Sequence, residues 1–124
     1  MSISFNILIL NQDGNIPSAT QRALQKAGHT TRNVENLAEA GKQSHNLEHS
    51  VLILDCGSSQ DQVIPNVKAL IAENNLKDQP ILLIGQDVDS VERIIDKHCV
   101  LSLTLNIPAK VSDINQAIDY FLNN

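Results

Sequence analysis

Short runs of apolar residues alternate along the chain with segments in which apolar residues recur at helical spacing. Five runs predict buried strands: Phe5 to Leu10, His29 to Val34, Val51 to Asp55, Ile81 to Ile84, and Val100 to Leu105. This alternation is typical of βα units packed around a parallel sheet. It predicts an α/β fold, a flavodoxin-like, doubly wound, five-stranded parallel sheet with strand order 2-1-3-4-5.

The segments between the predicted strands carry helix signals. Pro17 suits a first helical turn and Gly28 the position after a helix end, so the first helix is expected between them. Asn36 and Glu39 have capping-box spacing and predict a second helix, which has a poor apolar face. Helical spacing predicts these apolar faces: Ala19, Ala23, Leu24 and Ala27 in the first helix; Val63, Val67, Leu70 and Ile71 in the third; Val88, Val91 and Ile95 in the fourth; and Val111, Ile114, Ile118 and Phe121 in the last.

Composition and charge narrow the functional class. The 124 residues are 42% hydrophobic and 19% charged, which predicts one globular domain over residues 1–124. A formal net charge of −5 argues against binding of nucleic acid or of an anionic membrane by this domain. The aromatic residues are Phe5, Tyr120 and Phe121 alone, too few for a base-stacking platform.

The chain lacks the sequence signals of membrane insertion, secretion and cofactor binding. Without a bilayer-spanning stretch or a signal peptide, and with Cys56 and Cys99 as expected free thiols, a cytoplasmic protein is predicted. No GxGxxG motif follows the first strand, and Gly41-Lys42 lacks the flanking residues of a phosphate loop. We therefore expect no cofactor and no bound metal.

The most informative residue is Asp55, which ends the third predicted strand. An aspartate at this strand tip is typical of receiver domains of the CheY type, in which it accepts a phosphoryl group. That chemistry also needs acidic residues near the first strand to hold Mg²⁺, a hydroxyl after the fourth strand and a lysine after the fifth. All these groups meet where parallel strands end.

The residues that should assist this aspartate are mostly absent. Asn11 and Gln12 replace the acidic pair, and Asp13 lies one position further along the chain. Because amides bring no charge to a metal site, Mg²⁺ binding is expected to be severely weakened. Gly85 stands in place of the hydroxyl and Ile107 in place of the lysine. The pocket is therefore that of a degenerate receiver.

The favoured interpretation is a pseudo-receiver that is not an enzyme and in which Asp55 is not phosphorylated. Asp55 is then expected to cap backbone N–H groups, those of residues 57–59 in the first instance. Three alternatives stay open. They are a working phospho-receiver that uses Asp55 with Asp13, a flavodoxin-like domain that binds a small molecule over the strand tips, and a purely structural dimerisation domain.

Other candidate residues have less support. Cys56 has no identifiable base nearby, and a buried thiol is expected. The histidines lack companions at metal-ligand spacing and are expected at the surface: His29, His45, His49 and His98.

The C-terminal third of the chain resembles a known family. The segments Gln79 to Gly85, Val100 to Leu103, and Ile107-Pro108 are similar to the N-terminal domain of the FleQ/FlrA family, the σ54-dependent activators of flagellar genes. The likeness extends loosely over the whole chain, from Leu8-Ile9-Leu10 to the final helix near Tyr120.

The resemblance implies that the chain is part of a longer protein, followed by an AAA+ ATPase module and a helix-turn-helix DNA-binding domain. In that family the receiver-like domain is usually not phosphorylated. Cyclic di-GMP is sensed by the ATPase module, and a FleN/FlhG-type ATPase antagonises the activator. A homodimer is expected through the fourth helix, the fifth strand and the last helix, with this dimer face: Val91, Ile95, Leu103, Ile114 and Ile118.

Overall fold

A computed structural model describes residues 5–11, 14–46, 49–57, 79–85 and 102–122, together with the isolated positions 65, 69 and 72. The strands are β1 (Asn6–Leu10), β2 (Thr30–Asn33), β3 (Ser50–Gly57), β4 (Ile81–Gly85) and β5 (Ser102–Asn106). The helices are α1 (Thr20–Lys26), α2 (Leu37–Asn46) and α3 (Val111–Leu122). Positions 65, 69 and 72 are helical, in agreement with a third predicted helix in that segment. The predicted fourth helix lies outside the described residues.

The five strands form one sheet with the order β2-β1-β3-β4-β5, and every neighbouring pair is parallel. This confirms the predicted fold class and strand order. In the register of the sheet, Leu10 pairs with Leu54, and Gly85 pairs with Asn106. The strands thus end along a common edge, where Asp55 and Gly85 lie.

The core is built on the three central strands, in which residues 7–10, 51–55 and 81–85 are buried on both faces of the sheet. Ile7, Leu52 and Leu83 have no exposed surface. When both faces of a parallel sheet are covered, each strand is a continuous run of apolar residues. These strands are therefore evident in the sequence. Helix α2 packs against β1 and β3, while α1 and α3 contribute to a core cluster through Leu24 and Ile114.

Helix α1 begins later than the sequence predicts. Its first residue is Thr20 and its N-cap is Ala19, so Pro17 lies before the helix. Ala19 and Ala27 are exposed, and the apolar face predicted for this helix is wrong at these two positions. Leu24 makes the contact with the core.

The end of α1 is the one predicted. Gly28 has φ +99° and donates its N–H to the carbonyl of Gln25 at 3.0 Å. The next N–H, from His29, donates to the carbonyl of Leu24 at 3.1 Å. This pair of bonds is a Schellman motif, which satisfies the last carbonyls of a helix and requires a residue with positive φ.

Helix α2 is capped by the residues that predict it. Asn36 Oδ1 accepts the N–H of Glu39 at 2.8 Å, as in a capping box. The Glu39 carboxylate accepts the N–H of Glu35 at 2.9 Å, one residue earlier than a capping box would have it. Over residues 37–44 the helix buries only small side chains, among them Ala40 and Ser44, in agreement with its poor apolar face.

Helix α3 covers the sheet through Ile114, Ile118 and Phe121, which are 0%, 1% and 3% exposed. Its predicted apolar face is thus confirmed at these positions. The same burial removes Ile114 and Ile118 from any exposed dimer face, which corrects the prediction for both. Of the rest of that face, Leu103 is partly buried, and Val91 and Ile95 lie outside the described residues.

Candidate functional site

Asp55 lies near the end of β3 and is only 2% exposed. It pairs in register with Ile84, whereas Gly57 pairs with Gly85, so the register shifts between Asp55 and Gly57. Irregularities of this kind re-aim side chains at the end of a strand. A carboxylate buried to this extent needs hydrogen-bond donors, because its desolvation is otherwise costly.

Asn15 supplies two such donors. Its main-chain N–H donates to Asp55 Oδ2 at 2.9 Å, and its side-chain Nδ2 donates to Asp55 Oδ1 at 2.9 Å. Each carboxylate oxygen therefore accepts one hydrogen bond from the same residue. Hydrogen bonds to an ionised acceptor are stronger than those between neutral groups, so this pair ties the loop between β1 and α1 to the end of β3.

Sequence reasoning did not find Asn15. It assigned the partners of Asp55 to residues 57–59, of which 58 and 59 lie outside the described residues. Asn15 is 40 residues from Asp55, and no local pattern encodes a contact over that separation. The one local signal is the pair Gly14-Asn15, which follows the end of β1. Such a pair predicts hydrogen bonds within its own turn and does not indicate a contact with Asp55.

The loop that carries Asn15 has a glycine turn before that residue and an anchored residue after it. Gly14 has φ +75°, a conformation that favours glycine. Ile16 is 5% exposed and belongs to the core cluster. The Asn11 side chain accepts the N–H of Ile16 at 3.3 Å and donates to its carbonyl at 3.4 Å. Asn11 therefore braces this loop.

Gly85 and Ile107 lie at the same edge of the sheet as Asp55. In a working receiver domain these two positions carry a hydroxyl and a lysine. The Ile107 N–H donates to the Gly85 carbonyl at 3.1 Å, which continues the pairing of β4 with β5 by one residue. The Ile107 side chain packs against the core cluster, and its peptide bond with Pro108 is cis. Thr104 is half-buried on β5.

The described residues around Asp55 offer a Mg²⁺ ion few oxygen ligands. Both oxygens of its carboxylate accept N–H groups, and the Asn11 amide is engaged with Ile16. Mg²⁺ needs carboxylate lone pairs and several further oxygen ligands. Within the described part of the chain, no three His, Cys, Asp or Glu residues are grouped as a metal site. Gln12 and Asp13, the other predicted pocket residues, lie outside it.

His29 is buried, which corrects the prediction that it lies at the surface. It is 6% exposed, and its ring stacks on Phe5 with 5.8 Å between ring centroids. Its Nδ1 accepts the main-chain N–H of Phe5 at 3.1 Å. Burial lowers the pKa of His29 below its ordinary value of 6.5, and the charge of Asp119 opposes this in part. His49 is exposed, and the side chains of His45 and His98 lie outside the described part.

A mostly apolar groove of about 240 Å³ lies beside the edge strand β5 and helix α3. Tyr120 lines it and is 48% exposed, more than any other large apolar side chain of the described residues. The lining residues are Leu103, Thr104, Leu105, Asp113, Gln116, Ala117 and Tyr120. Among the described residues of the predicted dimer face, Leu103 lines this groove, whereas Ile114 and Ile118 are buried.

Solved structures share this fold over nearly the whole chain. The chemotaxis protein CheY4 of Vibrio cholerae matches with a TM-score of 0.73 at 17% identity, over 95% of this chain and 98% of that one. The inactive regulatory domain of the repressor of iron transport regulator RitR matches with a TM-score of 0.71 at 15% identity, over 95% and 94%. The chain has the receiver fold.

Other receivers match in the same way. A response regulator receiver protein of Pseudomonas putida has a TM-score of 0.62 at 17% identity, over 97% of this chain and 98% of that one. No protein-family profile matches the chain, and no curated protein matches its sequence significantly. No described helix is long and apolar enough to cross a bilayer.

Proposed function

We propose that the chain is a regulatory, receiver-like domain that works by protein contact and without phosphoryl transfer. The observation that carries this proposal is the pairing of both Asp55 oxygens with Asn15. A phosphoryl acceptor needs an oxygen free to attack phosphorus and a cation to offset the incoming charge. Here the carboxylate serves as the acceptor of two hydrogen bonds inside the fold.

Gly85 and Ile107 support the same proposal. A phosphorylated aspartate is stabilised by groups that bind the phosphoryl oxygens. Gly85 offers no side chain for this, and Ile107 offers an apolar one that packs against the core. These positions give an added phosphoryl group neither a hydroxyl nor a cation.

The test is ¹⁵N–¹H NMR of the domain with Mg²⁺, before and after addition of beryllofluoride, a phosphoryl mimic. We expect no change in the resonances of Asn15, Asp55 and Gly85. Saturable, Mg²⁺-dependent shifts at these residues would show a working acceptor site and overturn the proposal. The variant Asp55→Ala distinguishes such shifts from binding elsewhere, because it removes the carboxylate.

A phospho-receiver is the second candidate function, and one observation favours it. Asp55 lies at the carboxyl end of the third strand of a receiver fold, where an acceptor aspartate belongs. This function requires the loop that carries Asn15 to leave the carboxylate, with Asp13 as a metal ligand. The same NMR experiment decides between the two functions.

We further propose that this regulation serves a σ54-dependent flagellar activator of the FleQ/FlrA type, with AAA+ and DNA-binding modules in the full-length protein. The support is the resemblance of Gln79 to Gly85 and of Ile107-Pro108 to that family. Deletion of the gene should abolish swimming and the activity of a σ54-dependent flagellar promoter reporter. Unchanged motility and reporter activity would refute the flagellar assignment and leave the regulatory proposal untouched.

The partner we propose for this domain is a second copy, bound through the groove beside β5 and α3. Tyr120 is half exposed there, next to the half-buried Leu103 and Leu105. Exposed aromatic residues beside apolar grooves are typical of protein interfaces. Tyr120→Asp should shift the molar mass in light scattering from dimer to monomer. Arg32→Ala, at an exposed position on the opposite edge strand β2, is the matched control and should remain dimeric.

A further inference from the structure

Asn15 contacts Asp55 through two separate donors. The main-chain N–H reaches Oδ2 and the side-chain Nδ2 reaches Oδ1, both at 2.9 Å. A hydrogen atom thus points at each oxygen of the carboxylate. Each oxygen has a second lone-pair site, but Asp55 is only 2% exposed, so a cation or a phosphorus atom that approaches from the side of Asn15 must displace one of these donors.

The residue after Asn15 is anchored, which lowers the entropic cost of this contact. Gly14 takes the positive φ of the turn, and Ile16 is anchored in the core. The Asn11 side chain binds both backbone polar groups of Ile16. Asn15 therefore directly precedes a fixed residue, which limits the further torsions that its ordering against the carboxylate must restrict.

The contact also stabilises a buried negative charge at this edge of the sheet. Asp55 is 2% exposed, and the lysine and hydroxyl of a working receiver are replaced by Ile107 and Gly85. A buried carboxylate in such a setting is stabilised by donors aimed at both oxygens. Asn15 provides two of them from within the chain.

We propose that Asn15 is an internal occupant of the Asp55 site: it keeps the carboxylate closed to divalent cations and phosphoryl groups and holds residues 14–16 in one conformation. This inference rests on the proposed function and adds the residue that enforces it. A metal or phosphoryl group gains access to Asp55 only when the Asn15 amide withdraws.

The test uses Mn²⁺ alone as the probe, since it takes oxygen ligands as Mg²⁺ does and broadens nearby NMR signals. In Asn15→Ala we expect Mn²⁺ to broaden the signals around Asp55 at concentrations at least about tenfold lower than in the wild type, the effect of one lost hydrogen bond. Asn33→Ala is the matched control. It removes an exposed asparagine at the end of β2 and should behave as the wild type does.

Equal Mn²⁺ broadening in the wild type and in Asn15→Ala would overturn the inference. If beryllofluoride also leaves the NMR resonances of the wild type unchanged, the proposed function survives that outcome. A wild-type response to beryllofluoride would instead overturn the proposed function itself. The two failures are thus distinguishable in the same samples.

A second measurement needs no variant and applies even if Asn15→Ala does not fold. The Asn15 main-chain N–H should exchange with deuterium much more slowly than a solvent-exposed loop amide, because it donates to a buried carboxylate. Exchange as fast as that of an unprotected amide would show that the contact does not persist in solution, and the inference would fail.

Discussion

The imidazole of His29 stacks on the ring of Phe5 and also accepts the main-chain N–H of the same residue through Nδ1, at 3.1 Å. One buried side chain thereby joins the end of the α1 segment to the start of β1. Because Nδ1 must remain unprotonated to accept that N–H, the contact depends on the charge state of the ring.

The first prediction concerns pH. Burial lowers the pKa of His29 in the folded protein below its ordinary value of 6.5, with Asp119 opposing the effect. The unfolded chain therefore binds the proton more readily than the folded one, and protonation favours unfolding. The contribution of His29 to stability should be complete above pH 6.5 and should fall as the pH drops from there towards the lowered pKa.

This is measured by urea denaturation across that pH range in the wild type and in His29→Gln. The glutamine carbonyl can still accept the Phe5 N–H but does not titrate. The difference in free energy of unfolding between the two proteins should change with pH in the stated direction. A constant difference would contradict the assignment.

The second prediction is that Asp55→Asn destabilises the fold. An asparagine side chain has one oxygen and one NH₂ group, so its oxygen can still accept the Asn15 main-chain N–H, while the Asn15 amide must turn to present its own oxygen to the new NH₂ group. Both bonds then join neutral groups and are weaker than bonds to a carboxylate, which should cost about 1–2 kcal/mol. Urea denaturation at neutral pH should show this loss. Glu35→Gln, at an exposed carboxylate, should stay within about 0.5 kcal/mol of the wild type.

The third prediction tests the end of α1. Gly28 has φ +99°, and a Cβ built there meets no atom within 4 Å. Backbone strain alone should therefore make Gly28→Ala less stable, by about 1–2 kcal/mol. Gly28→Asn should lose less, because asparagine tolerates positive φ better than alanine does. Thermal denaturation of the three proteins should give the order Gly, Asn, Ala; equal stability of Gly28→Ala and the wild type would contradict the assigned conformation.

The fourth prediction separates core from interface on α3. Ile118 is 1% exposed, and Ile118→Ala should cost about 2–5 kcal/mol through lost burial and the cavity left behind. Tyr120 is 48% exposed, and Tyr120→Ala should change the unfolding free energy of the monomer much less. Chemical denaturation at low protein concentration measures both. A larger loss at Tyr120 than at Ile118 would reverse the assignment of the two faces.

Local sequence patterns predicted the secondary structure well where a residue's own chemistry favours a single conformation or environment. Continuous apolar runs gave the central strands, since both faces of a parallel sheet are buried. Gly28 and Asn36 marked helix ends through backbone geometry and a short-range hydrogen bond. The start of α1 was placed wrongly, because Pro17 is compatible with a first turn but does not require one.

The sequence by itself determined the α/β class and the strand order, because these follow from the periodicity of the apolar residues. It also determined that Gly85 and Ile107 carry neither a hydroxyl nor a cation, because that depends only on the functional groups of the side chains. Only the tertiary structure decided how each polar side chain is satisfied. It paired Asp55 with Asn15, buried His29 against Phe5, and assigned Ile118 to the core. These contacts join residues that are distant along the chain, so their partners depend on how loops and helices close over the sheet.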